Sequence, residues 1–523
     1  MHFNADSVTV LLAIGSCRDS GSPLGLTESF LLTTNPPYSS GFRRFLAAVK
    51  DFIDTPLGIA TLAAFVYFLS SFVSISNPSR GPDPPPGEWA KRYSEKRYVM
   101  LSLPRIVRGD EMHYLMVAYS LAQDGDLLIS DDYASVMQGG YEMGYWHRYQ
   151  PVYNLFQHFG RRTDGALLNN HPFGFSLVIA LCFWPLAHTP YMEAASIWLT
   201  VMVAFVGLWV FSKILLLSGF RWKHVRLAAL IVAFATPYWH YARTLYTEAY
   251  VATGYLILVY CLMRSKPLLA LPVLFVLSWY KYTVFLMYLS AGVAELCSRR
   301  FRYFFIFGFF GVAVLVMVGW FNATWYKDAS WYVEGKARQE AELSTATNFR
   351  KNLTANAPIN FVGGHPGRNL LGVLIKKDKG LLPYTPLIAV LGFGLFWCWR
   401  DNRRLFNCVV SCLIPWSVLH VCYEYVLVGD SYTTRYLVPM IPLACLGLPS
   451  LMARLDWEWS WVPFGLTRLK RVWLWVPFAG LVGYSFLCNA LSGVFSGIGA
   501  ARTPEEMIQA GGRILWVLAG SLF

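Results

Sequence analysis

The chain has 523 residues, of which 55% are hydrophobic and only 14% charged, and it carries a formal net charge of +13. A soluble chain usually has about a quarter of its residues charged, so the composition excludes an ordinary string of soluble domains. The positive charge does not point to nucleic acid, because it sits in short gaps between apolar runs of bilayer-spanning length, roughly 20 residues.

Residues 1–40 are rich in Ser, Thr, Gly and Pro, and 1–50 are expected to form a disordered cytoplasmic tail. The first span is expected over 52–75. Pro82, Pro84, Pro85 and Pro86 then make a stiff exit from it. A long polar loop, 78–190, follows. Its apolar stretch 173–187 is short for a crossing and reads as an interfacial or re-entrant helix. Spans are expected next over 191–217, 225–241, 249–263, 267–279, 283–296 and 303–321, with 267–279 and 283–296 short enough to form a hairpin that crosses only in part. A second long loop, 322–380, precedes spans over 381–399, 406–428, 436–452 and 472–489. Residues 496–523 form a tail with a short apolar segment. The expected fold class is therefore all-α, a polytopic membrane protein of about 11 transmembrane helices with two large extracytoplasmic loops, in one domain over 51–495.

Every second gap is basic. Arg43, Arg44 and Lys50 precede the first span, and Arg221, Lys223 and Arg226 follow the second. Arg264 with Lys266, then Arg299, Arg300 and Arg302, then Arg400, Arg403 and Arg404, and finally Arg468, Lys470 and Arg471 continue the alternation. The positive-inside rule puts these gaps, and the N-terminus, in the cytoplasm.

The opposite gaps hold acids and bases together. The first loop carries Asp110, Glu111, His113 and Tyr114, and later His171. Arg243 and Glu248 occupy the next outer gap, Lys281 the turn of the short hairpin, Lys376–Lys379 the end of the second loop, and Asp430 and Arg435 the last. Ionisable groups at membrane depth are costly and are usually kept for function. Each also has a structural reading. Asp110 and Glu111 can start the helix that follows, Glu248 can cap its own span, and Lys281 can snorkel to the interface.

Other chemistries have no signature. The cysteines form no CxxC pair, and the histidines show no HxxxH or HExxH spacing. His420 reads as a core histidine. There is no P-loop, no GxGxxG and no GxSxG.

In this order the residues resemble the glycosyltransferase-C superfamily, and within it bacterial relatives of protein O-mannosyltransferases and of the aminoarabinose transferase acting on lipid A. Gly-Asp-Glu-Met-His-Tyr-Leu followed by Ala-Gln-Asp-Gly-Asp-Leu is similar to that family's first-loop motif. Asn170-His171-Pro172-Phe173-Gly174 resembles the entry to the loop's last helix, with Phe173 in place of a second proline. Leu-Tyr-Thr-Glu248 resembles the second acidic site, and Trp279-Tyr280-Lys281-Tyr282-Thr283 the "Leu-Thr-Lys/Arg" turn.

The resemblance implies a membrane glycosyltransferase of the plasma (inner) membrane. Its donor would be a sugar on a polyprenyl phosphate, and its acceptor an extracytoplasmic component of the cell envelope. It implies Asp110 as base, with Glu111, His113 and Glu248 shaping the site and Lys281 on the donor phosphate. Arg435 and His113 are added as phosphate contacts, and Tyr114, His171, Arg243 and Asp430 as further candidates. Some members of the superfamily use a divalent metal held by acids. With two cationic residues at hand, no metal or other cofactor is expected here. A secondary transporter or lipid flippase would also explain the spans and charges. It would not explain a long first outer loop with an acid pair, and no internal repeat of the transporter kind is present. A scaffold for envelope assembly is the third possibility.

Overall fold

The computed structural model describes residues 47–76, 98–101, 103, 104, 110–129, 159–161, 167–169, 171–187, 189, 191–325, 330, 331, 366–422, 432–456, 464–494 and 503–509. The expectations placed on residues 1–40, on Pro82–Pro86, on Asn170 and on Asp430 lie outside them. The chain divides into two units, Met1–Lys50 and Asp51–Phe523, and every element from Pro56 onward belongs to the second.

The apolar runs become helices, and their polar punctuation sets the ends. Helix α1 is Pro56–Ser71: Thr55 caps it by accepting from Gly58 N at 3.0 Å, and Pro56 supplies a fixed φ where no intrahelical N–H is needed. Strand β1 (Val73–Ser76) pairs antiparallel with β2 (Tyr98–Leu101). In the first loop α2 is Asp110–Gln123, β3 Phe159–Arg161, β4 Leu167–Asn169 and α3 Gly174–Phe183. Then come α4 (Tyr191–Leu217), α5 (Trp222–Phe234), α6 (Tyr238–Ala242), α7 (Glu248–Met263), α8 (Leu271–Ser278), α9 (Phe285–Cys297) and α10 (Phe301–Trp325). After β5 (Ser330–Trp331) come α11 (Pro366–Ile375), α12 (Leu381–Tyr384), α13 (Ile388–Asp401), α14 (Arg403–Cys422), α15 (Met440–Cys445), α16 (Leu448–Leu455) and α17 (Phe464–Val494).

Each expected span coincides with a helix or a broken pair, yet the expected count of about 11 is not reproduced as full crossings. Among the described residues four helices are long and apolar enough to cross a membrane, over Tyr191–Leu217, Phe301–Phe321, Arg403–Cys422 and Leu474–Val494. Others are short, such as α7, or broken by proline. The expected span 225–241 splits into α5 and α6 at Thr236–Pro237, since proline donates no N–H and disfavours helix in the residue before it. The span 436–452 likewise divides into α15 and α16 around Gly447. The stretch 173–187 is a ten-residue helix followed by a 3₁₀ turn, as its length implied.

The all-α expectation describes the helical body but missed two small sheets. Beside the β1–β2 pair, β3 stands between β4 and β5 and ties the first loop to the segment after α10. Strands of two to four residues are too short to show a period of two in sequence.

The outer surface is apolar. Along α10, Phe305, Phe309, Val312, Val316 and Trp320 are all exposed, while Phe307, Val314 and Val318 are buried. A helix in water would put polar residues on that outer face, so this one is built to face lipid.

Polar contacts sort the gaps into two groups. The basic gaps bond to one another. Lys223 and His224 hold Asp456, Arg226 holds Asp54, and Arg454 holds Asp401. Asn402 donates to Ser218 O at 3.3 Å, and Arg404 reaches Ser265. The mixed-charge gaps bond among themselves too. Glu111 meets residue 245, Lys281 meets Glu248, and Thr434 donates to Lys379 O at 2.8 Å. The alternation read from sequence is thus a real division of the bundle into two ends.

Close backbone approach fixes α3 against the α8–α9 turn. Gly174 N donates to Trp279 O at 3.1 Å, and a Cβ on Gly174 would lie 2.3 Å from the Trp279 Cβ. Only glycine fits there, which explains the last residue of Asn-His-Pro-Phe-Gly.

Candidate active site

The mixed-charge end is organised by the link between α6 and α7, residues 243–248. Arg243, its first residue, is buried. It donates to Gly493 O, and to Val494 O at 3.1 Å, so it caps the last carbonyls of α17. Burial pushes the Arg243 guanidinium down to about 10, and the nearby Glu111 carboxylate opposes part of that shift. One Glu111 oxygen also accepts the backbone N–H of Leu245 at 2.6 Å, which docks α2 onto the link. Glu111 is only 1% exposed, so this charge is satisfied internally rather than by water.

Two residues before Glu248, Tyr246 lies under Arg435, whose guanidinium carbon is 5.3 Å from the ring centre. At the end of the link Glu248 opens α7 and accepts from Lys281 Nζ at 2.9 Å. Glu248 is buried and Lys281 half-buried, with side chains 2% and 16% exposed. The second Glu248 oxygen is buried and takes no hydrogen bond from the described residues. A half-satisfied buried carboxylate is expensive, and such groups concentrate where function retains them.

Tyr436 joins the two cations. Lys281 Nζ and the Arg435 guanidinium carbon each lie 4.9 Å from its ring centre, and Arg435 donates to its hydroxyl at 3.0 Å. The ring is itself held from behind. Trp416 Nε1 donates to Tyr436 O at 2.7 Å, and His420 stacks on Tyr436 at 5.6 Å and on Trp416 at 4.4 Å. His420, read from sequence as a core residue, is buried as expected, but it belongs to this stack.

Of the sequence-derived candidates, Glu111, Arg243, Glu248, Lys281 and Arg435 come together. His113 and Tyr114 form a neighbouring group with His171. The His171 ring is 5.7 Å from that of His113 and 5.1 Å from that of Tyr114. Asn169 fixes this group by donating to His113 O at 2.9 Å while accepting from His171 N at 2.8 Å. His113 therefore stands with His171 on the first loop. Asp110 is the first residue of α2, and Asp430 is outside the described residues.

Tyr246, Tyr436 and Trp416 were missed. Tyr246 and Tyr436 lie beside candidate charges in the strings Leu-Tyr-Thr-Glu and Arg-Tyr-Leu, but an aromatic ring at a span end reads first as an interfacial anchor. Among the described residues no three His, Cys, Asp or Glu side chains gather as a metal group.

Neither a protein-family model nor a curated protein matches the sequence. Among solved structures, that of ArnT from Cupriavidus metallidurans in the apo state is similar with a TM-score of 0.39 and 13% identity, over 86% of this chain and 77% of that one. At that TM-score the likeness assigns neither fold nor activity to this chain.

Proposed function

We propose that the chain transfers a sugar from a polyprenyl-phosphate donor to an extracytoplasmic acceptor, a cell-envelope lipid, glycan or protein. The observation that carries this reading is the convergence of Glu111, Arg243, Glu248, Lys281 and Arg435 on one short link at one end of a lipid-facing bundle. Two cations on a shared aromatic ring suit a phosphate whose prenyl tail lies among the helices. Asp110 takes the proton of the acceptor hydroxyl, the acceptor oxygen attacks the anomeric carbon, and the bond from that carbon to phosphate breaks with inversion. The departing phosphate gains charge, which Lys281 and Arg435 offset. Glu248 holds the Lys281 ammonium in place until the donor arrives.

The test is incubation of the purified protein in lipid with a panel of polyprenyl-phosphate sugars, scoring polyprenyl phosphate release. One donor should be cleaved in the presence of acceptor. A transporter or flippase would move donors between leaflets and cleave none. Because two cations stand ready for the phosphate, transfer is expected to survive exhaustive chelation. Loss with EDTA, restored by magnesium or manganese, would make Asp110 and Glu248 metal ligands instead.

A further inference from the structure

We propose that the opposite, basic end of the bundle carries a separate site for the phosphate of an anionic phospholipid, held between Arg300 and Arg404. The site is built around Ser265, just past the end of α7. Ser265 has a left-handed backbone, φ 58°, and its N–H closes a turn onto Leu262 O at 3.0 Å. Its hydroxyl receives two arginines from different gaps. Arg404 Nη2 donates to it at 2.7 Å and Arg300 Nη2 at 3.1 Å. The two guanidinium nitrogens are therefore no more than about 6 Å apart.

Helix capping explains only part of this. Arg404 also donates to Leu262 O at 3.0 Å, satisfying an orphan carbonyl of α7. Capping needs one cation, and a second beside it adds repulsion. The acid at the site is Glu295, whose carboxylate lies 3.8 Å from Arg300 Nη1, too long for a hydrogen bond. Glu295 is buried, whereas Ser265 and Arg404 are exposed. One buried acid against two cations, Arg404 exposed and Arg300 partly exposed, leaves a net positive cluster.

The neighbouring surface is what a lipid tail requires. Leu268 and Leu269 lie three and four residues beyond Ser265 and are 40% and 65% exposed, and Phe301, next to Arg300, is 57% exposed. Cationic side chains at headgroup level beside apolar ones are the pattern of anionic-lipid sites between transmembrane helices. The ligand is a phosphodiester headgroup, with free phosphate as the other source of the same chemistry.

The experiment measures thermal stabilisation of the full-length protein in neutral detergent by titrated phosphatidylglycerol, phosphatidylcholine or inorganic phosphate. Phosphatidylglycerol should stabilise, and phosphatidylcholine should not. Arg300→Gln with Arg404→Gln should weaken the apparent lipid affinity about twenty-fivefold, taking each membrane-adjacent arginine at roughly fivefold. Arg302→Gln with Arg403→Gln removes the same charge from exposed neighbours and should change it far less. Ser265→Asp guards against misfolding of the double variant. Aspartate tolerates the left-handed backbone, and its carboxylate would pair with the two arginines and abolish the lipid response. An unchanged response in Ser265→Asp, or equal loss in the Arg302/Arg403 control, overturns the site. Full stabilisation by inorganic phosphate alone overturns the lipid assignment.

Discussion

Lys281 sits between an acid and a ring, and this shapes what its loss would do. Its ammonium is 2.9 Å from Glu248 and 4.9 Å from the centre of Tyr436. Removing one partner of a buried pair costs about 3–5 kcal/mol, mostly because the other charge is left behind. Lys281→Ala should thus weaken donor affinity and turnover together and also lower stability, and Glu248→Gln in the same chain should restore the stability alone. Asp110→Asn should act differently. Loss of a general base lowers transfer by about two to four orders of magnitude with donor affinity almost unchanged. If Asp110 only starts α2, the variant would be nearly silent, because asparagine caps about as well as aspartate. Donor affinity and transfer rate for each variant, in one lipid preparation, decide between these outcomes.

Tyr436 offers a second test at this scale. Tyr436→Phe removes the hydrogen bond from Arg435 but keeps the ring, whereas Tyr436→Leu also removes both cation–ring contacts. Hydrogen bonds to charged groups are worth about 1.5–3 kcal/mol, and cation–ring contacts about 0.5–2 kcal/mol. The donor KM should therefore rise in the order wild type, Phe, Leu, with kcat changing less. A Leu variant with wild-type KM would mean that the ring does not hold the cations.

Among the elements, the join between α5 and α16 is an ionic contact whose pH dependence can be stated. Partial burial pushes Asp456 up, but hydrogen bonds from Lys223 and His224 outweigh it and hold its carboxyl below the usual value of 3.8. A depressed carboxylate contributes stability above its unfolded pKa and loses it as pH falls through the folded one. Asp456→Asn should consequently lower the melting temperature near pH 7, and the deficit should shrink as pH falls below 3.8 and through the depressed folded value. A constant deficit across that range would show that the join is not ionic. Helices α13 and α16 meet in another way, by backbone proximity. A Cβ on Gly447 would come within 2.7 Å of Gly394 C, so these two glycines set the crossing.

For the whole molecule, the two sets of polar contacts fix which gaps share an end but not which end faces outward. The excess of Arg and Lys is the basis for the proposed direction, with the basic gaps inside. With native thiols replaced, a cysteine at Glu142 or Gln339 should react with an impermeant thiol reagent from outside the cell. One at Asn402, which lies among the basic gaps and donates to Ser218 O, should not. Equal labelling would reverse or dissolve the orientation and remove the proposed site from the extracytoplasmic side.

The apolar runs determined where helices form, because every backbone group in a bilayer must be paired within its own segment. The alternation of basic gaps determined which ends lie together, because charge cannot be left in hydrocarbon. Sequence could also nominate Glu111, Arg243, Glu248, Lys281 and Arg435 as residues at the same level. Tertiary structure alone decided their pairing. Glu248 meets Lys281 across 33 positions of chain, and Glu111 meets Leu245 across 134. No local pattern encodes such distances. The same holds for Tyr436 and Trp416, whose place behind the cations follows from how α14 packs beside the 3₁₀ turn Arg435–Leu437. Proline decided the broken helices locally, but whether a break ends a crossing or bends it depends on what packs around it, and only the folded bundle supplies that.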